Sequence, residues 1–271
     1  MEETYAVITG ASQGLGKSFA YELAKRKMSL ILISLPDQGL PAICADLQHR
    51  FGVKAHACEI DLSKKESILS VAEWINSLFD VYMLINNAGV GGTKKFEDAS
   101  FGYIDNIIQL NVRATALLTH QLLPNLQKRT KAYILNVSSL AAFSPIGYKT
   151  VYPASKAFVH SFSRGLYQEL KNTNVFVSVV NPGPMKTNED STRRIEAQGF
   201  FARITSLNPD KVAQYCIRQL EKRDTVIMVN HFSWLFLSLL PIWVKLPMLT
   251  NKIRKELTPH GKTTAGVKRA G

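Results

Sequence analysis

Tyr5-Ala-Val-Ile-Thr9-Gly10-Ala11-Ser12-Gln13-Gly14-Leu15-Gly16-Lys17 decides the fold. An apolar run of strand length passes directly into a glycine-rich turn, and the turn leads into an amphipathic helical pattern over Lys17–Lys27. Glycines at 10, 14 and 16 permit a tight backbone and close approach of a ligand, while the helix start offers unpaired amides and a positive dipole end. The spacing G-x-x-x-G-x-G differs from the G-x-G-x-x-G fingerprint, and a glycine-rich turn can simply join a strand to a helix. Its position after the first strand points to phosphate binding.

Outward from this unit, Val/Ile/Leu-rich runs alternate with longer helical patterns. The runs are Tyr5–Thr9, Leu30–Ser34, Val53–Ile60, Val81–Asn86, Ala132–Ser138, Val175–Asn181 and Val226–Val229. Strands alternating with helices imply an α/β fold: a doubly wound, mainly parallel, seven-stranded Rossmann-like sheet with helices on both faces. No Pro/Gly/Ser-rich linker divides the 271 residues. Residues 1–230 are expected to form the nucleotide-binding catalytic domain, 231–257 a helical extension of it, and 258–271 a loose tail.

Cys44, Cys58 and Cys216 are widely spaced and lack nearby ligand partners, so they read as reduced thiols of a cytoplasmic protein and no metal site is expected. The N-terminus enters a strand without a signal-peptide pattern. Of the formal charge of +12, half sits between Lys245 and Arg269, where seven basic residues face the single acid Glu256. Such local charge suits anions or acidic lipid better than a nucleic-acid groove.

The chemistry is concentrated in Asn136-Val-Ser-Ser139-Leu-Ala-Ala-Phe-Ser-Pro-Ile-Gly-Tyr-Lys-Thr-Val-Tyr152-Pro-Ala-Ser-Lys156. A hydroxyl at a strand end precedes a phenol and an ammonium four residues apart, hence on one helix face. A phenol titrates near pH ~10, so it transfers protons at neutral pH only when a cation stabilises the phenolate. The same Tyr-x-x-x-Lys spacing recurs at Tyr21/Lys25 and Tyr167/Lys171, where ordinary helix positions explain it. Tyr152 differs in context: a strand ending in Ser-Ser, a loop with Pro145 and Gly147, and small residues Ala154 and Ser155 where a ligand could approach.

Thr9-Gly10-x-x-x-Gly14-x-Gly16, Asn86-Asn-Ala-Gly89, Asn111, Ser139, Tyr152-x-x-x-Lys156 and Pro182-Gly183 together resemble the short-chain dehydrogenase/reductase family. The resemblance runs from residue 4 to about residue 230. It implies catalysis by Asn111, Ser139, Tyr152 and Lys156. It also implies cofactor contacts from Gly10, Ser12, Gln13, Gly14, Leu15, Gly16, Ser34, Asp61, Leu62, Asn86, Ala88, Gly89, Tyr152, Lys156, Pro182, Gly183 and Thr187. Asp61-Leu62 would meet adenine, although a helix start near Ser63, with Glu66 three positions on, offers a capping reading. Asn86 and Asn87 could instead tie strands together. Asn111, inside an apolar helical pattern, would hold a water, bend the helix and complete a proton relay; otherwise it is a satisfied packing amide.

At the second strand end, Ser34-Leu35-Pro36-Asp37 carries neither a carboxylate for a ribose diol nor a base for a 2′-phosphate. With no carboxylate to repel phosphate, NADP(H) is favoured over NAD(H). The reaction implied is interconversion of a carbonyl and a secondary alcohol on a small hydrophobic substrate, 3-oxoacyl or steroid-like. Leu140, Phe143, Ile146, Met185 and Phe200 would line the pocket, and 188–207 would cover it.

The alternatives are a non-catalytic dinucleotide-binding sensor or scaffold, and a peripheral membrane protein on the same fold. Phe232, Leu235, Phe236, Leu239 and Leu240 follow helical spacing, and Pro241 and Pro247 are expected to break the stretch, which argues against a spanning helix. Residues 231–257 could therefore close the pocket, extend a subunit interface or lie on a membrane. Homodimers or homotetramers are implied by the family resemblance.

Overall fold

The computed structural model describes residues 4–185, 192, 206–230, 234–235 and 239–257, the side chains of 255–257 excepted. Seven strands, β1 Tyr5–Thr9, β2 Ser29–Ser34, β3 Ala55–Glu59, β4 Val81–Asn86, β5 Ala132–Val137, β6 Val175–Asn181 and β7 Val226–Met228, form one sheet in the order β3-β2-β1-β4-β5-β6-β7. Every neighbouring pair is parallel. β3 is shorter than the apolar run that announced it.

Side chains alternate across the sheet, and this alternation builds two cores. Ala6, Ile8, Leu30 and Leu32 pack under α1 (Gly14–Lys25), α2 (Leu40–Phe51) and α7 (Pro209–Glu221). Val7, Ile31, Ile33, Leu84 and Ile134 pack on the other face, under α3 (Lys65–Leu78), α5 (Thr115–Gln127) and the C-terminal end of α6 (Val151–Leu170). Fully burying one such Leu or Ile stabilises by roughly 1.5–3 kcal/mol, so both faces contribute to holding the sheet. Cys44 and Cys216 are buried core thiols, and burial pushes the Cys44 thiol up to about 11.

Three local expectations are corrected. Helix α1 begins at Gly14 rather than Lys17 and ends at Lys25. Ser63 does not cap α3: the helix starts at Lys65 after Lys64, and Asp61 Oδ1 instead accepts from the Ser63 amide at 2.9 Å in a turn before it. Pro247 does not break the C-terminal helix but lies inside α8 (Ile242–Leu257), whose start is set by Pro241, the acceptor for the Val244 and Lys245 amides.

The strand order reverses at β1, where β1 and β4 run side by side while their connections leave in opposite directions. A crevice at such a switch point is where doubly wound sheets hold ligands. Its rim consists of the glycine turn after β1 and Asn86–Gly89 after β4.

Candidate active site

The glycine turn is held by direct contact. Gly10 (φ 66°) and Gly14 (φ 54°) are left-handed, a region side chains avoid. At Gly16 the reason is space: an added Cβ would lie 2.1 Å from the Gly10 carbonyl oxygen and 2.5 Å from Asn87 Nδ2. Leu15 is buried in the core, whereas Ser12 and Gly14 are partly exposed and Gln13 exposed. The turn therefore presents backbone, at a helix start, to the crevice.

Across the crevice Asn87 Nδ2 donates to the Thr9 and Gly10 carbonyls at 2.9 and 3.2 Å, and the Asn87 and Ala88 amides donate to Thr9 Oγ1. Asn87 and Thr9 are thus the clasp of the turn: Asn87 ties adjacent strand ends as the sequence reading allowed, and Thr9 is the partner it did not name. Asn86 points into the interior, where Nδ2 donates to Thr119 Oγ1 and Asn136 Oδ1, both at 2.8 Å. Asn136 continues the chain to Ser163 Oγ at 2.9 Å. This buried line of polar groups links α5, β4, β5 and α6, and its paired members avoid the penalty of unmet burial.

At the second strand end Ser34 is buried, its Oγ donating to the Leu35 carbonyl, while Leu35 is exposed and Asp37 adopts a left-handed φ of 60°. Leu62 is buried under the other core, and Arg113 donates to the Ser63 carbonyl beside it.

Asn111 lies in a π-helical turn, Gln109–Ala114, that widens the path between α4 (Phe101–Ile108) and α5. Its side chain is fully buried and satisfied: Oδ1 accepts from the Val90 amide, and Nδ2 donates to the Val90 carbonyl and to Ser155 Oγ, all at 2.9 Å. The packing-amide reading fits these bonds, and the expected departure from a regular helix is present as the π turn. Ser155 does not leave room for a ligand. It is buried and donates to the Tyr152 carbonyl at 2.7 Å, so it joins the π turn to the first turn of α6.

Ser139, two residues past the end of β5, opens a short 3₁₀ turn, Leu140–Phe143, where its Oγ accepts from the Ala141 amide at 3.1 Å. That bond occupies an acceptor lone pair and leaves the hydroxyl proton available for a carbonyl oxygen. The neighbouring Ser138 fixes α6 by donating to the Lys156 carbonyl at 2.7 Å. Tyr152 is partly exposed, and its ring packs against Gly91, where a Cβ would come within 2.8 Å of Cδ2. Lys156 is buried, donates from Nζ to the Val137 carbonyl at 2.9 Å, and has its pKa lowered to about 8 by loss of solvation. Gly89 closes the same space: a Cβ there would stand 3.0 Å from Asn111 Oδ1 and 3.1 Å from Lys156 Nζ. Ala88 completes that rim, and Pro182 anchors the opposite wall by accepting from the Leu140 amide at 3.0 Å, next to Gly183. Thr187, Phe200 and most of 188–207 lie outside the described residues.

The two other Tyr-x-x-x-Lys pairs are elsewhere. Tyr21 donates to Asp46 at 2.6 Å, and Tyr167 packs its ring edge against Phe176. Tyr152 and Lys156 meet the glycine segment after β4, at Gly91 and Gly89, while Ser139 stands at the turn that follows β5, the neighbouring strand. This geometry fits a dinucleotide: side-chain-free backbone at a helix start, and a glycine floor over a buried ammonium.

The fold and crevice define the class of doubly wound α/β proteins with a nucleotide-type crevice at the switch point of the sheet. The family model described as short chain dehydrogenase matches residues 4–198, and the chain belongs to that family. A very-long-chain 3-oxoacyl-CoA reductase of Anas platyrhynchos is 35% identical over 182 residues, 66% of this chain and 58% of the relative, so the match spans little more than half of that protein. The Homo sapiens protein of the same name is 27% identical over 96% of this chain and 83% of its own length. Among solved structures, a short-chain dehydrogenase from Sphingobium yanoikuyae in complex with NADPH shares 25% identity with a TM-score of 0.77, covering 98% of this chain and all of the other. One from Burkholderia phymatum in complex with NAD shares the fold at 22% identity and TM-score 0.76, covering 88% and 92%.

Proposed function

We propose that this chain is a dehydrogenase/reductase that uses a nicotinamide dinucleotide, NADP(H) in preference to NAD(H), to interconvert a carbonyl and a secondary alcohol on a hydrophobic substrate. The observation that carries the reading is the packing of Tyr152 against Gly91 and of a buried Lys156 against Gly89, with Ser139 at the turn just past the adjoining strand β5. Gly10, Ser12, Gln13, Gly14, Leu15 and Gly16 would hold the pyrophosphate through backbone. Ser34 would face the adenosine ribose. Asp61 and Leu62 would border adenine, and Ala88, Gly89, Pro182, Gly183 and Thr187 would surround the nicotinamide half, with Asn86 bracing that segment from the interior rather than touching the cofactor with its side chain.

When bound, the reduced nicotinamide supplies hydride. The residues supply position and proton. Ser139 donates a hydrogen bond to the substrate oxygen, and Tyr152 delivers the proton that converts that oxygen to hydroxyl as the carbonyl carbon is reduced. Lys156 in its ammonium form stabilises the phenolate left behind and grips the nicotinamide ribose. Asn111 holds the Val90 segment and, through Ser155, the turn bearing Tyr152. Preorganised acid/base and electrostatic catalysis of this kind places the redox chemistry in the cofactor.

A 3-oxoacyl or steroid-like substrate is supported, in its 3-oxoacyl form, by the names of the two reductases above and, in its hydrophobic character, by Leu140, Phe143 and Ile146 between Ser139 and Tyr152. Reduction of a panel of 3-oxoacyl thioesters and bulky ketones, followed by nicotinamide absorbance, tests it; turnover confined to small polar carbonyls would overturn the substrate class. A non-catalytic reading has one specific support, since a Homo sapiens relative, 29% identical over 93% of this chain, is named an inactive hydroxysteroid dehydrogenase-like protein. The intact Ser139/Tyr152/Lys156 set argues for turnover here.

Phe101, Ile108 and Phe158 are exposed on α4 and α6, with Phe158 stacked on Phe162 at 5.8 Å, and this face suits a second copy in a homodimer or homotetramer. No helix among the described residues is long and apolar enough to cross a membrane. Exposed Leu239, Ile242, Trp243, Leu246 and Met248, followed by Lys252 and Arg254, suit peripheral contact of 231–257 with an anionic bilayer.

A further inference from the structure

Helix α8 comes back from the far end of the chain to the segment that runs from Ser139 to Tyr152. Three polar contacts join them. Lys245, buried at 8% exposure, donates from Nζ to the Phe143 carbonyl at 3.2 Å, at the end of the 3₁₀ turn. Thr250 Oγ1 accepts from the Gly147 amide at 3.0 Å. Arg254 Nε donates to the Tyr148 hydroxyl at 3.2 Å, with its guanidinium 5.8 Å from the Tyr148 ring centroid.

The fit is close as well as polar. A Cβ at Gly147 would lie 2.6 Å from Thr250 Cγ2 and 3.0 Å from Oγ1, so glycine is needed there for the helix to approach. Tyr148 in turn adopts a left-handed φ of 65°, and its carbonyl accepts from the Lys94 amide at 2.7 Å. The loop is thus held between α8 and the segment after β4. An irregular loop with few regular backbone bonds opens readily unless outside contacts hold it, and displacements on the order of 1 Å at a reacting centre lower rates by about 100-fold.

We propose that α8 is a strap on the substrate side of the site, with Lys245, Thr250 and Arg254 as positioning residues. Through Phe143, Gly147 and Tyr148 they fix the loop that sets Ser139 relative to Tyr152. The strap thereby governs the seating of the carbonyl substrate while leaving the dinucleotide crevice untouched. The proposal rests on the assignment of Ser139 and Tyr152 given above.

Thr250→Ala removes the acceptor for the Gly147 amide, Thr250→Ser keeps it, and Trp243→Ala alters the exposed side of the same helix as a control. Amide exchange over residues 143–149, reduced-cofactor affinity, and kcat and KM for a bulky ketone are the readouts. For Thr250→Ala, exchange in the loop rises about tenfold and kcat/KM falls about tenfold, while cofactor affinity stays within about twofold. Thr250→Ser and Trp243→Ala remain near the parent on all three.

Gly147→Ala reproduces the Thr250→Ala defect, and adding Thr250→Ser, which deletes the clashing Cγ2, recovers part of it. Lys245→Met supplies the same exchange test should Thr250→Ala fail to fold. Unchanged loop exchange in these variants, or cofactor affinity falling in step with kcat/KM, overturns the strap. Should the parent protein show no turnover, the exchange data still decide the strap, separating its failure from that of the enzymatic reading.

Discussion

The Asn111 side-chain amide donates to Ser155 Oγ at 2.9 Å, and that hydroxyl donates onward to the Tyr152 carbonyl. A widened helical turn is thereby tied to the turn that carries Tyr152. Ser155→Ala leaves a fully buried amide hydrogen without its acceptor, at a cost of about 1–3 kcal/mol. Urea unfolding should show that loss, and kcat should fall while cofactor affinity is retained. A variant as stable and as fast as the parent would mean that the link carries no load.

Gly16→Ala sets a methyl 2.1 Å from the Gly10 carbonyl oxygen, and the backbone on both sides must move. Fluorescence titration with NADPH should show at least about a tenfold loss of affinity, equal to about 1.4 kcal/mol. Circular dichroism at the same temperature separates that loss from unfolding.

Lys156 bears on pH. Its folded pKa, about 8, lies below the unfolded 10.5, so between these values the unfolded chain binds more protons and this group's contribution to stability rises with pH. The rise amounts to roughly 3 kcal/mol at most. Unfolding of the cofactor-free protein at several pH values, compared with Lys156→Met, should show the difference between the two growing across that window. Reduction should decline above about pH 8 as the ammonium is lost. A difference that is flat with pH would contradict the buried, depressed lysine.

The proposed preference for NADP(H) rests on Ser34 and Leu35 at the end of β2. Titration with both reduced cofactors should show tighter NADPH binding, and Ser34→Asp should reverse the order by placing a carboxylate that accepts from the ribose diol and repels a 2′-phosphate. Tighter NADH binding by the parent would remove the preference.

The sheet was legible because each strand is a short apolar run bounded by polar or turn residues, and all seven strands fall within two residues of the expected bounds at each end. The glycine turn and the Tyr152 stretch were legible because their residue types have chemical uses at fixed spacing. What escaped depends on partners distant in the chain. The resemblance implied a bend at Asn111, but its form as a π turn and the partners that hold its amide, Val90 and Ser155, are not marked in the local sequence. Asn87 looks like Asn86 in sequence, and only the adjacency of β1 and β4 separates the clasp from the interior tie. Pro247 reads as a break, yet the tertiary contacts of Lys245 and Thr250 accompany a helix that runs through it.

The most direct measurement of the central claim is single-turnover reduction of a bulky ketone or 3-oxoacyl thioester by Tyr152→Phe loaded with NADPH. The phenylalanine keeps the ring against Gly91 and deletes only the hydroxyl, so cofactor affinity should stay within about twofold while the rate falls by at least about 100-fold. Reduction at the parent rate by a variant with the same cofactor affinity would contradict the assignment of Tyr152 as the proton donor.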